Sequence, residues 1–190
     1  MTITSRILKM IKDPLVWIDC EMTGLDIKKD HLIEIAVLIT DGDLNVVAKG
    51  PELIIHQPKQ VMDNMNEWCI QHHGDSGLTQ QVLESKITVQ EAEKQVYEFL
   101  KQHIPAGVAP LAGNTVHEDK KFLCKEMPSI VDHLHYRIVD VSTIKELSKR
   151  WYPEIASGVV KKATHRALDD IIESIEELKY YRQHVFISKP

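Results

Sequence analysis

The stretch WIDCEMTGLD, Trp17 to Asp26, decides the fold. From Val16 to Met22 the residues alternate as a strand does, with Trp17, Asp19 and Glu21 on one side and Val16, Ile18, Cys20 and Met22 on the other. Thr23-Gly24 then breaks the pattern. Side chains two apart on a strand share a face, so Asp19 and Glu21 point the same way. Two carboxylates that close repel, and one is driven protonated unless a cation sits between them. Hard divalent ions take oxygen ligands and keep open positions for phosphate. On this stretch alone, a strand end that reaches water explains the pair equally well, because short motifs often match by chance.

Working outward, HLIEIAVLIT (31–40) is nearly continuous in apolar residues, as a central strand is. DGDLN (41–45) is a turn, and Val46 to Ala48 with Leu53 to His56 read as a third strand interrupted at Gly50-Pro51. Short links between three strands imply an antiparallel meander. The rhythm then changes. A helix is expected from about Val61 to His72, and a second from Thr88, where Glu91 completes a capping box. Ala92, Val96, Phe99 and Leu100 follow helical spacing in it. VAPLAGN (108–114) reads as a strand, Glu118 to Lys125 as a helix and YRIVDV (136–141) as a strand. Helices follow over Ser142–Trp151 and Thr164–Gln183, the last with Leu168, Ile171, Ile172, Ile175 and Leu178 on one stripe. EIASGVVKK (154–162) reads as a surface loop beside the site. A meander followed by alternating strands and helices implies an α/β fold with a mixed sheet flanked by helices.

At 190 residues the chain suits one domain with a substantial core. Neither an internal repeat nor a linker divides it, so residues 14–186 are expected to form that domain. Residues 1–13 are then a tail or the start of a first helix, and 187–190 a C-terminal tail. Apolar residues at 43% and charged residues at 27% exclude disordered and fibrous classes, and no apolar run is long enough for a membrane span. Cys20, Cys69 and Cys124 are odd in number and widely spaced, which suggests neither a disulfide framework nor a zinc knuckle and fits a reducing cytosol. Acids outnumber bases 28 to 23, which disfavours tracking of a long nucleic acid. The opening MTITSRILKMIK carries Arg6, Lys9 and Lys12 without an acid, a faint presequence-like feature that makes mitochondrial import the alternative location.

Two further stretches bear on the carboxylates. NTVHEDKKFL (114–123) follows a strand end and puts Asp119 at a helix start. THRALDD (164–170) brackets the start of the last helix with His165 and Asp170. Strand ends and helix starts converging at one end of a sheet are where α/β folds place ligands. Together WIDCEMTG, GNTVHEDKKF and HRALDD resemble the three motifs of the DEDDh 3′-to-5′ exonucleases. EMTGLD, EWCIQHHGDSGLT, HYRIVDVSTIKEL and RWYPE extend the resemblance to the oligoribonuclease family from about Pro14 to Phe186, and the HEDKKF form resembles its eukaryotic members.

The resemblance implies a ribonuclease H-like exonuclease fold with a mixed five-stranded sheet. It also implies hydrolysis of short single-stranded RNA, two to about five nucleotides long, to 5′-mononucleotides. Two ions, Mg²⁺ or Mn²⁺, would sit on Asp19, Glu21, Asp119 and Asp170, with His165 taking the proton of the attacking water. Leu25, Trp68 and His73 match the positions that hold the terminal bases. Thr115, Tyr136, Arg137 and Ser142 match a cap over the substrate's 5′-phosphate, Tyr136 reaching across from the second subunit of a homodimer. Position 115 departs from the serine usual there, and Cys20 from a leucine. Outside these motifs, Glu34 in LIEIA is expected to make a structural hydrogen bond. His72-His73 and His133/His135 lack the further ligands that a transition-metal site needs. Trp151-Tyr152-Pro153 is expected in core or interface packing.

Overall fold

The computed structural model describes residues 11–159 and 166–186. Three strands lead, β1 (Leu15–Met22), β2 (Leu32–Thr40) and β3 (Val46–Ile54), followed by three short helices, α1 (Lys59–Asp63), α2 (Glu67–Asp75) and α3 (Leu78–Glu84). Then come α4 (Val89–His103), β4 (Pro110–Gly113), α5 (His117–Glu126), α6 (Pro128–His133) and β5 (His135–Asp140). The chain closes with α7 (Val141–Trp151), α8 (Pro153–Ala156) and α9 (Ala167–His184).

The five strands form one sheet in the order β3-β2-β1-β4-β5. β1 pairs antiparallel with β2, which pairs antiparallel with β3, as the expected meander requires. On its other side β1 runs parallel to β4, and β4 to β5. The carboxyl ends of β1, β4 and β5 therefore lie at the same end of the sheet, where α5 follows β4 and α7 follows β5. Every residue of β2 is buried, which is why its sequence shows no alternation.

Alternation in β1 sorts its side chains into two cores. Val16, Ile18 and Cys20 pack with Val96, Leu100, Phe122 and Leu123 of α4 and α5. On the opposite face Trp17 packs with Ile171, Ile175 and Tyr181 of α9, and its indole N–H donates to Thr40 Oγ1 at 3.0 Å.

Several local expectations change. β3 runs unbroken through Gly50-Pro51, because the ladder absorbs these residues as an irregularity opposite Val37. The helix expected over 61–72 is two helices. Asn66 caps the second by accepting the Cys69 N–H at 2.9 Å, and that cap stops the first. The sequence reading missed α3 and α6, both short; Pro128 opens α6. The stripe on α9 is rotated from the expected one. Ile172 is exposed, and the buried line runs through Ala167, Ile171, Ser174, Ile175, Glu177 and Tyr181. Polar members survive there because Glu177 accepts from Asn114 Nδ2 at 2.8 Å and from the Tyr181 hydroxyl at 3.2 Å. The stretch 154–159 includes the short helix α8. Trp151 and Tyr152 are exposed rather than in the core.

Candidate active site

Asp19 and Glu21 leave the α9 face of β1 together, as the period of two requires. Asp170, in the first turn of α9, meets them there: ligand oxygens of Asp19, Glu21 and Asp170 all lie within 4.8 Å of one another. Asp119 arrives from the first turn of α5 and stands outside that group. Its Oδ1 accepts the backbone N–H of Cys20 at 2.9 Å, so it is pinned to the residue between the two strand carboxylates. His165 lies outside the described residues, as do Lys161 and Lys162.

The electrostatics record the crowding. Asp19 is pushed well above the usual carboxylate range, first by burial and then by Asp119, Glu21 and Asp170. Glu21 is pushed up to about 8, by burial and then by Asp170, Glu34 and Asp119, while Arg166 pulls it down. Asp119 is pushed up to about 7 by burial, against the hydrogen bond from Cys20. Carboxylates alone are a hard, anionic donor set, which suits Mg²⁺ or Mn²⁺ rather than a soft ion.

Behind this cluster stands an ion pair. Glu34, fully buried and opposite Glu21 in the β1–β2 ladder, receives Arg166 at 2.8 Å through Nη2 and 3.1 Å through Nε. The structural bond expected of Glu34 is thus a two-pronged salt bridge to the residue that caps α9. The lone carboxylate in an apolar strand was the available signal; its partner was not legible.

The three residues expected to hold bases do converge. Leu25, Trp68 and His73 line one cavity of about 340 Å³ together with Cys20, Glu21, Met22 and Cys69, so a residue of the carboxylate cluster forms part of its wall. Leu25 and Trp68 are 68% and 54% exposed, open to a stacking ligand. Trp68 is itself stacked on His72, ring centroids 3.8 Å apart. His73 differs, being almost wholly buried and donating through Nε2 to the Met22 carbonyl at 3.0 Å, a tie that fixes α2 against β1. Asp30, to which the sequence reading assigned nothing, shapes the loop that carries Leu25. It accepts from the Asp26 N–H at 2.8 Å and the Thr23 hydroxyl at 3.2 Å.

The expected cap residues fall into two groups. Thr115 and Ser142 meet at the ends of β4 and β5, both bonded to Asp140. Thr115 has φ 60°, the left-handed region that a β-branched residue rarely enters. Burial would raise Asp140, but bonds from Ser142, His117 and Thr115 hold it below its ordinary value. Tyr136 and Arg137 lie on β5, the edge strand, with Tyr136 73% exposed and the Arg137 guanidinium 5.3 Å from its ring centre.

Comparison with known proteins bears on the family and the fold. A family model described as exonuclease matches residues 16–178. The probable oligoribonuclease of Dictyostelium discoideum is 62% identical over 172 residues, covering 90% of each chain. The mitochondrial oligoribonuclease of Homo sapiens is 60% identical over 92% of this chain and 74% of its own. The oligoribonuclease of Actinobacillus succinogenes is 53% identical over 91% and 95%. Among solved structures, exonuclease I of Methylocaldum szegediense superposes with a TM-score of 0.70 at 17% identity, and exonuclease I of E. coli with dA16 at 0.72 and 13%. Those two matches cover 90% and 92% of this chain but only 41% and 42% of the exonuclease I chains, and at such identity they bear on the fold alone. The fold, the clustered carboxylates and the identities shared along nearly the whole chain lead to one conclusion: this chain belongs to the oligoribonuclease family of exonucleases.

Proposed function

We propose that the protein is a 3′-to-5′ exoribonuclease that hydrolyses very short oligoribonucleotides, down to dinucleotides, to 5′-mononucleotides. The observation that carries this is a juxtaposition. Three carboxylates within 4.8 Å of one another adjoin a cavity of about 340 Å³, lined by Leu25 and Trp68, that shares Glu21 with them. A cavity of that size suits a base or two rather than a long strand.

Asp19, Glu21 and Asp170 would hold divalent cations, Mg²⁺ or Mn²⁺, with Asp119 serving a second ion. Such a pair supplies charge stabilisation at the attacking and leaving oxygens of an in-line displacement. The chain's own residues do the rest. His165 takes the proton of the attacking water, since a histidine titrates near working pH. Water oxygen bonds to phosphorus as the bond from phosphorus to the 3′-oxygen of the preceding nucleotide breaks. That oxygen leaves with the bonding electron pair and takes a proton from solvent to become a 3′-hydroxyl, and the terminal nucleotide departs as its 5′-phosphate. Leu25 and Trp68 stack the terminal bases, worth about 1–3 kcal/mol per base without any sequence readout, and His73 backs them from within α2.

Thr115, Arg137 and Ser142, with Tyr136 supplied across a homodimer, receive the 5′-phosphate and stop a longer chain from threading past. Arginine with hydroxyl donors suits a terminal phosphate. Residues 14–186 form the catalytic unit. Its location is the cytosol, with mitochondria as the alternative suggested by the basic start and by relatives named as mitochondrial. No helix among the described residues is long and apolar enough to cross a membrane.

Cleavage of 5′-phosphorylated RNAs of two, four, seven and twenty nucleotides tests this, with Mg²⁺ and with chelator, beside Asp170→Ala. Expected is rapid turnover of the dinucleotide, falling steeply with length and absent with chelator and in the variant. Equal or faster cleavage of the twenty-mer would show a general 3′ exonuclease without a cap.

A further inference from the structure

Asp140 is a charged group that the proposed chemistry leaves without a task. It ends β5 and caps α7, and its side chain is 8% exposed. Oδ1 accepts from the Thr115 N–H at 2.9 Å, the Ser142 N–H at 3.0 Å and the Ser142 hydroxyl at 2.6 Å. Oδ2 faces His117 Nδ1 at 3.2 Å. One carboxylate thereby ties the β4–α5 link to the start of α7, the two segments that carry Thr115 and Ser142. It is not part of the group of carboxylates fit to hold a cation.

Two physical points make this more than a helix cap. A left-handed threonine persists only where its surroundings over-determine it, and the Asp140 bond to the Thr115 N–H is such a constraint. An ionised carboxylate beside a binding place for a phosphate would repel it, unless its charge is absorbed by donors. Here three N–H or O–H groups and a histidine ring face it. The Ser142 hydroxyl gives its one proton to Asp140, so the carboxylate fixes where Ser142 Oγ stands, and a phosphate that binds there takes that proton over from Asp140.

We propose that Asp140 is a positioning residue for recognition of the substrate's 5′-phosphate, holding Thr115, Ser142 and His117 as one rigid receiver. This rests on the cap described under the proposed function.

The test is kcat/KM for two dinucleotides that differ only in carrying a 5′-phosphate or a 5′-hydroxyl, measured on wild type, Asp140→Asn and Arg137→Ala. Asparagine preserves shape but loses the charge that gathers four donors, and melting temperature reports folding separately. The proposal expects the phosphate-to-hydroxyl ratio to fall at least tenfold in Asp140→Asn. A wild-type ratio in Asp140→Asn, with loss in Arg137→Ala, would overturn the role of Asp140 while leaving the cap intact. No preference in the wild type itself would overturn both. If Asp140→Asn does not fold, His117→Ala, which removes the half-exposed ring between Asp140 and Glu118, faces the same ratio: a fall supports the receiver and an unchanged ratio overturns it.

Discussion

Threonine at position 115 occupies a backbone conformation that costs an ordinary L-residue about 1–2 kcal/mol. The methyl that distinguishes it from serine adds crowding at Cβ, and the compensation comes from the Asp140 carboxylate. Thr115→Gly removes the strain but also gives the unfolded chain more freedom, which takes back about 0.4–1 kcal/mol. The expected net effect is a gain of about 1 kcal/mol or less, read as a higher urea midpoint with unchanged slope; a clear loss would show that the left-handed turn is not strained. At this scale the sequence was informative about chemistry and silent about conformation. The identity of Thr115 as a hydroxyl bearer was legible, whereas a positive φ at a non-glycine leaves no compositional mark. Asp140 and Asp30 stayed unread for a similar reason: an aspartate at a turn or cap is ordinary, and only its partners distinguish it.

Among elements, the placement of α9 carries the site, because its first turn brings Asp170 to β1. Glu34 and Arg166 anchor that turn, with the Glu34 carboxylate fully buried. Arg166 is 24% exposed, so removing Glu34 strands a partly solvated cation and costs about 1–3 kcal/mol. Glu34→Ala is therefore expected to lower unfolding free energy by about that amount and to reduce kcat, as α9 loses its registration on β2. Equilibrium denaturation and steady-state rates check both, and a loss under about 1 kcal/mol would mean that water already screens the pair. Element types were largely legible from periods of 2 and 3.6. The exceptions have local causes: Asn66 stops one helix and starts another within a single helical pattern, and a bulge keeps β3 continuous through Gly50-Pro51. The rotation of α9 was misjudged because Ser174 and Glu177 count as polar in any pattern, yet the fold satisfies Glu177 internally through Asn114 and Tyr181.

For the molecule as a whole, the acidic cluster makes stability depend on pH and on cations together. Glu21 near 8 and Asp119 near 7 hold protons in the folded state that an unfolded carboxylate, at about 4, has already released. The folded form binds more protons across that interval, so without metal these two groups stabilise most below about pH 4 and progressively less as pH rises toward 8. Mg²⁺ or Mn²⁺ is expected to reverse the trend by favouring the ionised carboxylates, and to release protons on binding. Thermal unfolding at pH 5 and pH 8, with cation and with chelator, checks this; a metal-free protein more stable at pH 8 would contradict it, and Asp19→Asn should flatten the response.

Local periodicity by itself determined that Asp19 and Glu21 share a strand face, that β2 is a buried central strand and that helices follow the meander. Those patterns express the geometry of neighbouring residues, 2 per strand repeat and 3.6 per helical turn. The motifs carry residue types that suit an exonuclease. Only the tertiary structure decided which distant groups meet: Asp170 against Asp19 and Glu21, Thr115 against Asp140, and Arg166 against Glu34 across 132 positions. Such meetings follow from how two cores pack on opposite faces of one sheet, and a chain's local pattern carries no term for that packing.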